Sequence, residues 1–153
     1  MFSLHKKDNM LYYIGMKAMG IDFGLKRIGV AFSDETKFLA TPYEVYVRQN
    51  PEQDLQHFVD LINKNKVDEV VCGLPMNMQG DEQEIADQTR EFMDELQAKV
   101  AVRLSFVDER LSSVLAEDVL KQSERDWRKR KQKLDAVAAS IILQDYLDNM
   151  RRF

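Results

Sequence analysis

Asp22 is a carboxylate placed directly after an apolar strand core, Ala18-Met19-Gly20-Ile21, where burial is costly unless the charge is paired or binds a metal. Gly24, two residues on, lets backbone or ligand approach closely. An Asx turn would also account for the Asp-x-Gly pattern by itself. Asp108 and Glu109 end another alternating segment. Adjacent strand residues point to opposite faces, so at most one of the two shares a side with Asp22. Asp135 begins a helical stripe with Ala138, Ala139 and Ile142, and a helix lined by alanine can pack close to a sheet and bring its acid near strand ends. The plain alternative for Asp135 is an acid in a first helical turn, worth about 0.3 to 1 kcal/mol through the helix dipole. Three acids from separate elements that met at one sheet edge would repel one another unless a cation lay between them. Hard oxygen donors favour magnesium or manganese, and two such ions about 3.5 to 4 Å apart are the arrangement that hydrolyses phosphodiesters. No zinc-ligand spacing, Ser-His-Asp set or Walker loop competes.

Positioning these acids is the task of the surrounding elements. Ala18 to Asp22 and Ile28 to Phe32 read as neighbouring strands joined by a tight turn at Gly24 to Arg27. A third strand is expected over Leu39 to Val47, where Tyr43, Val45 and Val47 alternate with Glu44, Tyr46 and Arg48. Asn50-Pro51 reads as an N-cap followed by proline at the first helical position, and Leu55, Phe58, Val59 and Ile62 give an amphipathic stripe. His57 beside that stripe reads as a partly exposed packing residue. Val67 to Leu74 contains the continuous run Val70-Val71-Cys72 expected of a strand buried on both faces. A helix follows over about 82–98, then a fifth strand whose Val102, Leu104 and Phe106 alternate with polar residues and which runs into Asp108. Ser112 or Ser113 can cap a helix reaching to about Leu120; a basic loop and a last helix from about Leu134 to Met150 complete the chain. This order predicts an α/β fold with a mixed sheet covered by helices and right-handed crossovers between its parallel strands.

Length and composition narrow the class. The chain has 153 residues, 44% hydrophobic and 31% charged, a composition outside the fibrous and disordered classes and enough for one domain that buries roughly 70% of its unfolded surface. The longest uncharged stretch is the eleven residues from Val70 to Gly80, short of the roughly 20 apolar residues of a membrane span. Residues 1–15 show neither helical nor strand period and are expected to be a flexible extension, with residues 16–153 forming the domain. Their apolar cluster, Met10 to Ile14, is shorter than a secretory core of roughly 7 residues or more. Cys72 is expected to be a buried thiol, and the cytoplasm is the expected compartment. Between Lys121 and Lys133 seven basic residues stand against two acids, a local charge of +5 on a chain whose net charge is −4. Such a strip suits a polyanion, and Trp127 within it could stack on an unpaired base; a solvated loop anchored by Trp127 is the plainer reading.

Five blocks occur in a recognisable order: Met19-Gly20-Ile21-Asp22-Phe23-Gly24, the run from Lys26 to Asp34, Gly73-Leu74-Pro75-Met76-Asn77-Met78, Asp108-Glu109-Arg110-Leu111-Ser112, and Asp135-Ala136-Val137-Ala138-Ala139. Together they resemble the YqgF family, also called RuvX-type Holliday junction resolvases. Leu25 stands where that family commonly has threonine, and Gln79-Gly80-Asp81-Glu82 is more acidic than usual. The resemblance implies an RNase H-like fold, with three antiparallel strands followed by parallel ones. It also implies a cytoplasmic nuclease, acting on the 5′ end of the pre-16S rRNA or, alternatively, on four-way DNA. Within it, Asp22 would bridge two magnesium (or manganese) ions, with Glu109 and Asp135 completing the ligand set and Asp108 in reserve. Lys26, Arg27 and Arg110 stand close in sequence to these acids and could neutralise the scissile phosphate or the leaving oxygen, with surface cations pairing with the many acids as the plainer reading. From the basic strip, Arg125, Trp127, Arg128, Lys129, Arg130 and Lys131 are the expected nucleic-acid contacts. Two other classes share single features. Actin-like ATPases also open on Asp-x-Gly but need a second lobe, and a non-catalytic nucleic-acid module would use the basic strip alone.

Overall fold

A computed structural model describes residues 16–74, 81–108 and 127–151, with the backbone alone for 81–82 and 127–132. Its five strands are β1 (Lys17–Phe23), β2 (Arg27–Ser33), β3 (Ala40–Val47), β4 (Val67–Leu74) and β5 (Arg103–Asp108), and its helices are α1 (Pro51–Asn65), α2 (Asp81–Lys99) and α3 (Trp127–Met150). The strands form one sheet in the order β3-β2-β1-β4-β5. β1 runs antiparallel to β2 and parallel to β4, β2 antiparallel to β3, and β4 parallel to β5. This is the expected mixed sheet, and its interior strands β1, β2 and β4 are buried along nearly their whole length.

Period 2 in β1 splits the core into two layers. Met19, Ile21 and Phe23 pack with Leu55, Phe58 and Ile62 of α1 and Phe92, Met93 and Leu96 of α2; each fully buried side chain of this kind contributes about 1.5 to 3 kcal/mol. Ala18 belongs to the other layer, with Val71 and with Ala139, Ile142, Leu143 and Leu147 of α3. Gly20 and Gly29 let α3 come down on the sheet. A Cβ at Gly20 would lie 2.7 Å from the Ala139 carbonyl oxygen, and one at Gly29 would lie 1.9 Å from that of Asp135. Cys72 is fully buried, as expected.

α1 starts as its sequence predicts: the Asn50 side chain accepts from the Gln53 N–H at 2.9 Å, with Pro51 next, and Lys66 ends it in the left-handed region. α3 departs from expectation. It begins at Trp127, about two turns before Leu134, so the second half of the basic strip is helical. Residues 127–133 hold only arginine, lysine, glutamine and one tryptophan; arginine, lysine and glutamine are good helix formers, and no glycine or proline interrupts them. The helix expected near Leu120 lies outside the described residues.

β3 is an edge strand whose pairing with β2 shifts between Val30 and Ala31. Its polar set faces α1. Tyr46 stacks on His57 with centroids 4.1 Å apart, and His57 Nε2 meets Glu44 Oε1 at 2.7 Å, which makes His57 the packing residue expected. The Tyr46 hydroxyl donates to Asp54 Oδ1 at 2.8 Å, and burial followed by this carboxylate pushes the phenol up to about 12. The neutral phenol is therefore favoured by the fold. Its contribution is complete below pH 10, the ordinary tyrosine value, and is lost as pH rises toward about 12. Urea unfolding measured across this range should show stability falling, with a visibly shallower fall in Tyr46→Phe.

Candidate active site

Asp22 is the next-to-last residue of β1, paired in register with Gly29 of β2. Ala18 and Gly20 meet α3, so by strand alternation Asp22 stands on the same face. Asp135 reaches that face from the helix. It is two turns inside α3 rather than in its first turn, which contains no acid, so the helix-dipole reading of this residue does not hold. The two carboxylates line one cleft of about 340 Å³ with Gly24, Leu25, Lys26 and Arg27. The alanine face of α3 and the absence of a side chain at Gly29 bring them there.

Arg27 crosses the cleft, its Nε 3.4 Å from Asp135 Oδ2. Both side chains remain partly exposed, 47% and 31%, so the pair contributes at most about 1 kcal/mol to stability. Burial pushes the Asp135 carboxyl above its ordinary range, and Arg27 works against that rise. An acid disfavoured as an anion by its surroundings gains from a further cation beside it.

Of the residues singled out in the sequence, the structure brings together Asp22, Lys26, Arg27 and Asp135. Asp108 ends β5 opposite Leu74 and is exposed. Its neighbour Val107 packs in the α3 layer, so alternation gives Asp108 to the face away from Asp22. Glu109, Arg110 and Arg125 lie outside the described residues. Trp127, Arg128, Lys129, Arg130 and Lys131 form the first turns of α3, the helix that carries Asp135. Among the described residues no group of three or more histidines, cysteines or acids could hold a metal ion, and the cleft supplies two carboxylates.

Sequence reasoning overlooks Arg48 and Asp54. Asp54 is 2% exposed and accepts from the Tyr46 hydroxyl and from the Gln49 N–H, each at 2.8 Å, with Arg48 Nε 3.5 Å away. Arg48 in turn reaches the turn between β1 and β2, where Nη1 donates to the carbonyls of Gly24 and Leu25 at 3.1 Å. In the sequence Asp54 reads as an ordinary acid of a first helical turn. The polar alternation at Glu44, Tyr46 and Arg48 is the available signal that this face meets partners.

A mixed sheet with three antiparallel strands and then parallel ones, carrying acids on the face of its last helix, is the RNase H-like arrangement of resolvases. Two solved structures share it: T. thermophilus RuvC in complex with a Holliday junction substrate (TM-score 0.63, 12% identity, covering 89% of this chain and 96% of that one) and the fowlpox virus Holliday junction resolvase (TM-score 0.57, 18% identity, 88% and 99%). The chain belongs to the RuvX family, whose model, described as Holliday junction resolvase, matches residues 16–149. Relatives provisionally named pre-16S rRNA nuclease include one from Halothermothrix orenii, 46% identical over 87% of this chain and 95% of its own length. Another, from Maridesulfovibrio salexigens, is 41% identical over 86% and 98%. Among the described residues no helix is long and apolar enough to cross a membrane.

Proposed function

We propose that this protein is a metal-dependent nuclease of the cytoplasm that hydrolyses phosphodiester bonds at the 5′ end of the pre-16S rRNA. The observation that carries this reading is the meeting of Asp22 and Asp135, 113 positions apart in the chain, in one cleft beside Lys26 and Arg27. The names of the relatives support the RNA substrate.

The donor set fits a hard divalent ion, because both carboxylates offer oxygen and the cleft lining contains no histidine or cysteine. Asp22 and Asp135 would hold magnesium or manganese, two ions in the arrangement suited to phosphodiesters, with Glu109 as the third carboxylate. Asp108 falls on the face of β5 away from Asp22. Bound there, the ions supply charge neutralisation at the scissile phosphate and an activated water. The chain's own cations act beside them. Arg27, restrained by Asp135, offers N–H donors to a phosphate oxygen or to the leaving oxygen, and Lys26 adds a mobile positive charge on the same wall. Arg110 would join them from the segment after β5, and Arg125 and the residues from Trp127 to Lys131 would follow the nucleic-acid backbone.

This strip makes a separate prediction. Replacing Arg128, Lys129, Arg130 and Lys131 with glutamine should weaken binding of single-stranded RNA regardless of its sequence. The slope of log K against log salt should fall by about 0.7 for each phosphate the variant no longer neutralises, measured by fluorescence anisotropy at several salt concentrations.

The test of the function is cleavage of a pre-16S rRNA fragment carrying its 5′ extension beside a four-way DNA junction, both with magnesium. Cutting of the RNA at the mature end with the junction spared is expected. Symmetric cutting of the junction alone would favour the second reading, a Holliday junction resolvase, which the family description supports.

A further inference from the structure

The turn between β1 and β2 is held from one side by a single residue. Arg48 Nη1 donates to the Gly24 and Leu25 carbonyls, each at 3.1 Å, and the Arg48 backbone N–H donates to the Lys26 carbonyl at 2.9 Å. Three successive carbonyls of the turn are thus directed at one arginine. Arg48 is itself fixed by Gln88 Oε1 of α2 at 3.3 Å, by Asp54 of α1, and by the Phe23 ring, whose centroid lies 4.7 Å from its guanidinium carbon. Phe23 and both helices belong to the layer opposite α3. Arg48 therefore grips the turn from the face away from Asp22 and Asp135.

A trans peptide directs its C=O and its N–H in opposite directions, and no peptide bond here is cis. With the Gly24 and Leu25 carbonyls turned toward Arg48, the amides of Leu25 and Lys26 turn the other way, toward the α3 side. There the same residues line the cleft with both acids and Arg27. Successive backbone N–H groups on one side of a turn make a seat for an anion. Lys26 and Arg27 line the same cleft.

We propose that Arg48 is a positioning residue of this site, holding the β1–β2 turn so that the Leu25 and Lys26 amides receive a phosphate oxygen of the substrate strand. This rests on the nuclease reading, and it adds a phosphate seat made of backbone and the residue that orients it. Asp22 is anchored separately, through its pairing in the strand ladder. The turn can therefore loosen without the metal ligands moving, and substrate grip and metal affinity separate.

The experiment compares wild type with Arg48→Gln, Arg48→Lys and Leu25→Pro. The last removes one of the two amide donors and leaves Arg48 with all its partners. Binding of a single-stranded RNA oligonucleotide is measured with calcium in place of magnesium, and KM, kcat and the magnesium midpoint are measured in cleavage. Arg48→Gln and Leu25→Pro should each raise the oligonucleotide Kd and the KM by about tenfold, the loss of a hydrogen bond to a charged group. The magnesium midpoint should move less than about twofold on the same scale. Arg48→Lys, whose single ammonium can reach the carbonyls but lacks the separate Nε donor that Arg48 gives Asp54, should fall between. A Val70→Ala variant, weakened in the core, controls for general loss of stability and should leave Kd unchanged. Folded Arg48→Gln or Leu25→Pro with wild-type Kd and KM would overturn the proposal, as would a magnesium midpoint that shifts as far as Kd. Should Arg48→Gln fail to fold, Leu25→Pro decides. If the wild type neither binds nor cleaves nucleic acid, the nuclease reading itself falls and this proposal with it.

Discussion

Asp22→Asn should lower magnesium-dependent cleavage by more than about a hundredfold, a barrier increase of about 2.7 kcal/mol, while the thermal midpoint stays within a few degrees of wild type. The substitution keeps the shape of the side chain and removes the charge. Asp22 is on the face where α3 closes over the sheet, and it shares its cleft with a second carboxylate whose burial already disfavours the anion. Taking one negative charge away weakens the hold on a divalent ion, because the attraction comes from several anions gathered at one place, Asp22 with Asp135 and the proposed third carboxylate Glu109. Packing is not the source of the effect. Asp22 is only half-buried, and the ladder that holds β1 is backbone. Steady-state cleavage and a thermal melt on the same preparation check the two halves of this expectation. Cleavage close to wild type in a folded Asp22→Asn protein would remove the carboxylate from the mechanism.

Gly29→Ala should destabilise the protein by about 3 kcal/mol, the upper end for an overpacked site, and reduce cleavage with it. The added Cβ would lie 1.9 Å from the carbonyl oxygen of Asp135, 2.2 Å from its carbon and 2.9 Å from the Ala136 nitrogen. All three are backbone atoms of α3, so no rotamer change relieves the clash, and the helix must lift from the sheet. The residue displaced first is the one that carries the second carboxylate. Gly20→Ala offers a milder contrast. There one of the two nearest atoms, at 2.8 Å, is the Leu143 Cβ rather than main chain, and the other, the Ala139 carbonyl oxygen, is 2.7 Å away. Its cost should be smaller, and it falls a full turn of α3 from Asp135. Urea unfolding of both variants gives the order, and equal stabilities for Gly29→Ala and wild type would mean that α3 does not sit where the site requires it.

Much of this arrangement can be read from residue order. The apolar run ending at Asp22 makes a strand with a charge at its tip, and Val70-Val71-Cys72 places β4 in the middle of the sheet, because a strand with no polar face needs cover on both sides. Ala138 and Ala139 already signal a helix that lies close to its neighbour, and the glycines at 20 and 29 supply the other half of that contact. Local propensity and periodicity are enough for such features. The start of α3 escapes a reading in which a run of basic residues is a solvated loop, although arginine and lysine favour helix and nothing at 127–133 breaks it. The choice between Asp108 and Glu109 needs strand register, which depends on how β5 pairs with β4 and not on the two acids themselves. Arg48 and Asp54 are invisible for a related reason. Their partners come from β1, the turn after it, β3, α1 and α2, and only the assembled sheet brings those atoms together.

Side chains also sort by what their surroundings allow. Asp54 is buried with a hydroxyl, a backbone N–H and a guanidinium around it, a structural anion with its partners in place. Asp135 is partly buried with one long contact to Arg27 and a raised pKa. The first needs nothing further, whereas the second gains from a cation. That contrast separates an acid that supports the fold from one available for chemistry.

Crystals of the wild-type protein soaked in manganese and measured at its absorption edge test the central claim most directly. An anomalous peak in contact with carboxylate oxygens of both Asp22 and Asp135, at about 2.1 Å as hard cations of this size require, is the predicted result. Manganese bound only elsewhere on the molecule, with these two side chains bare in fully occupied crystals, would contradict it.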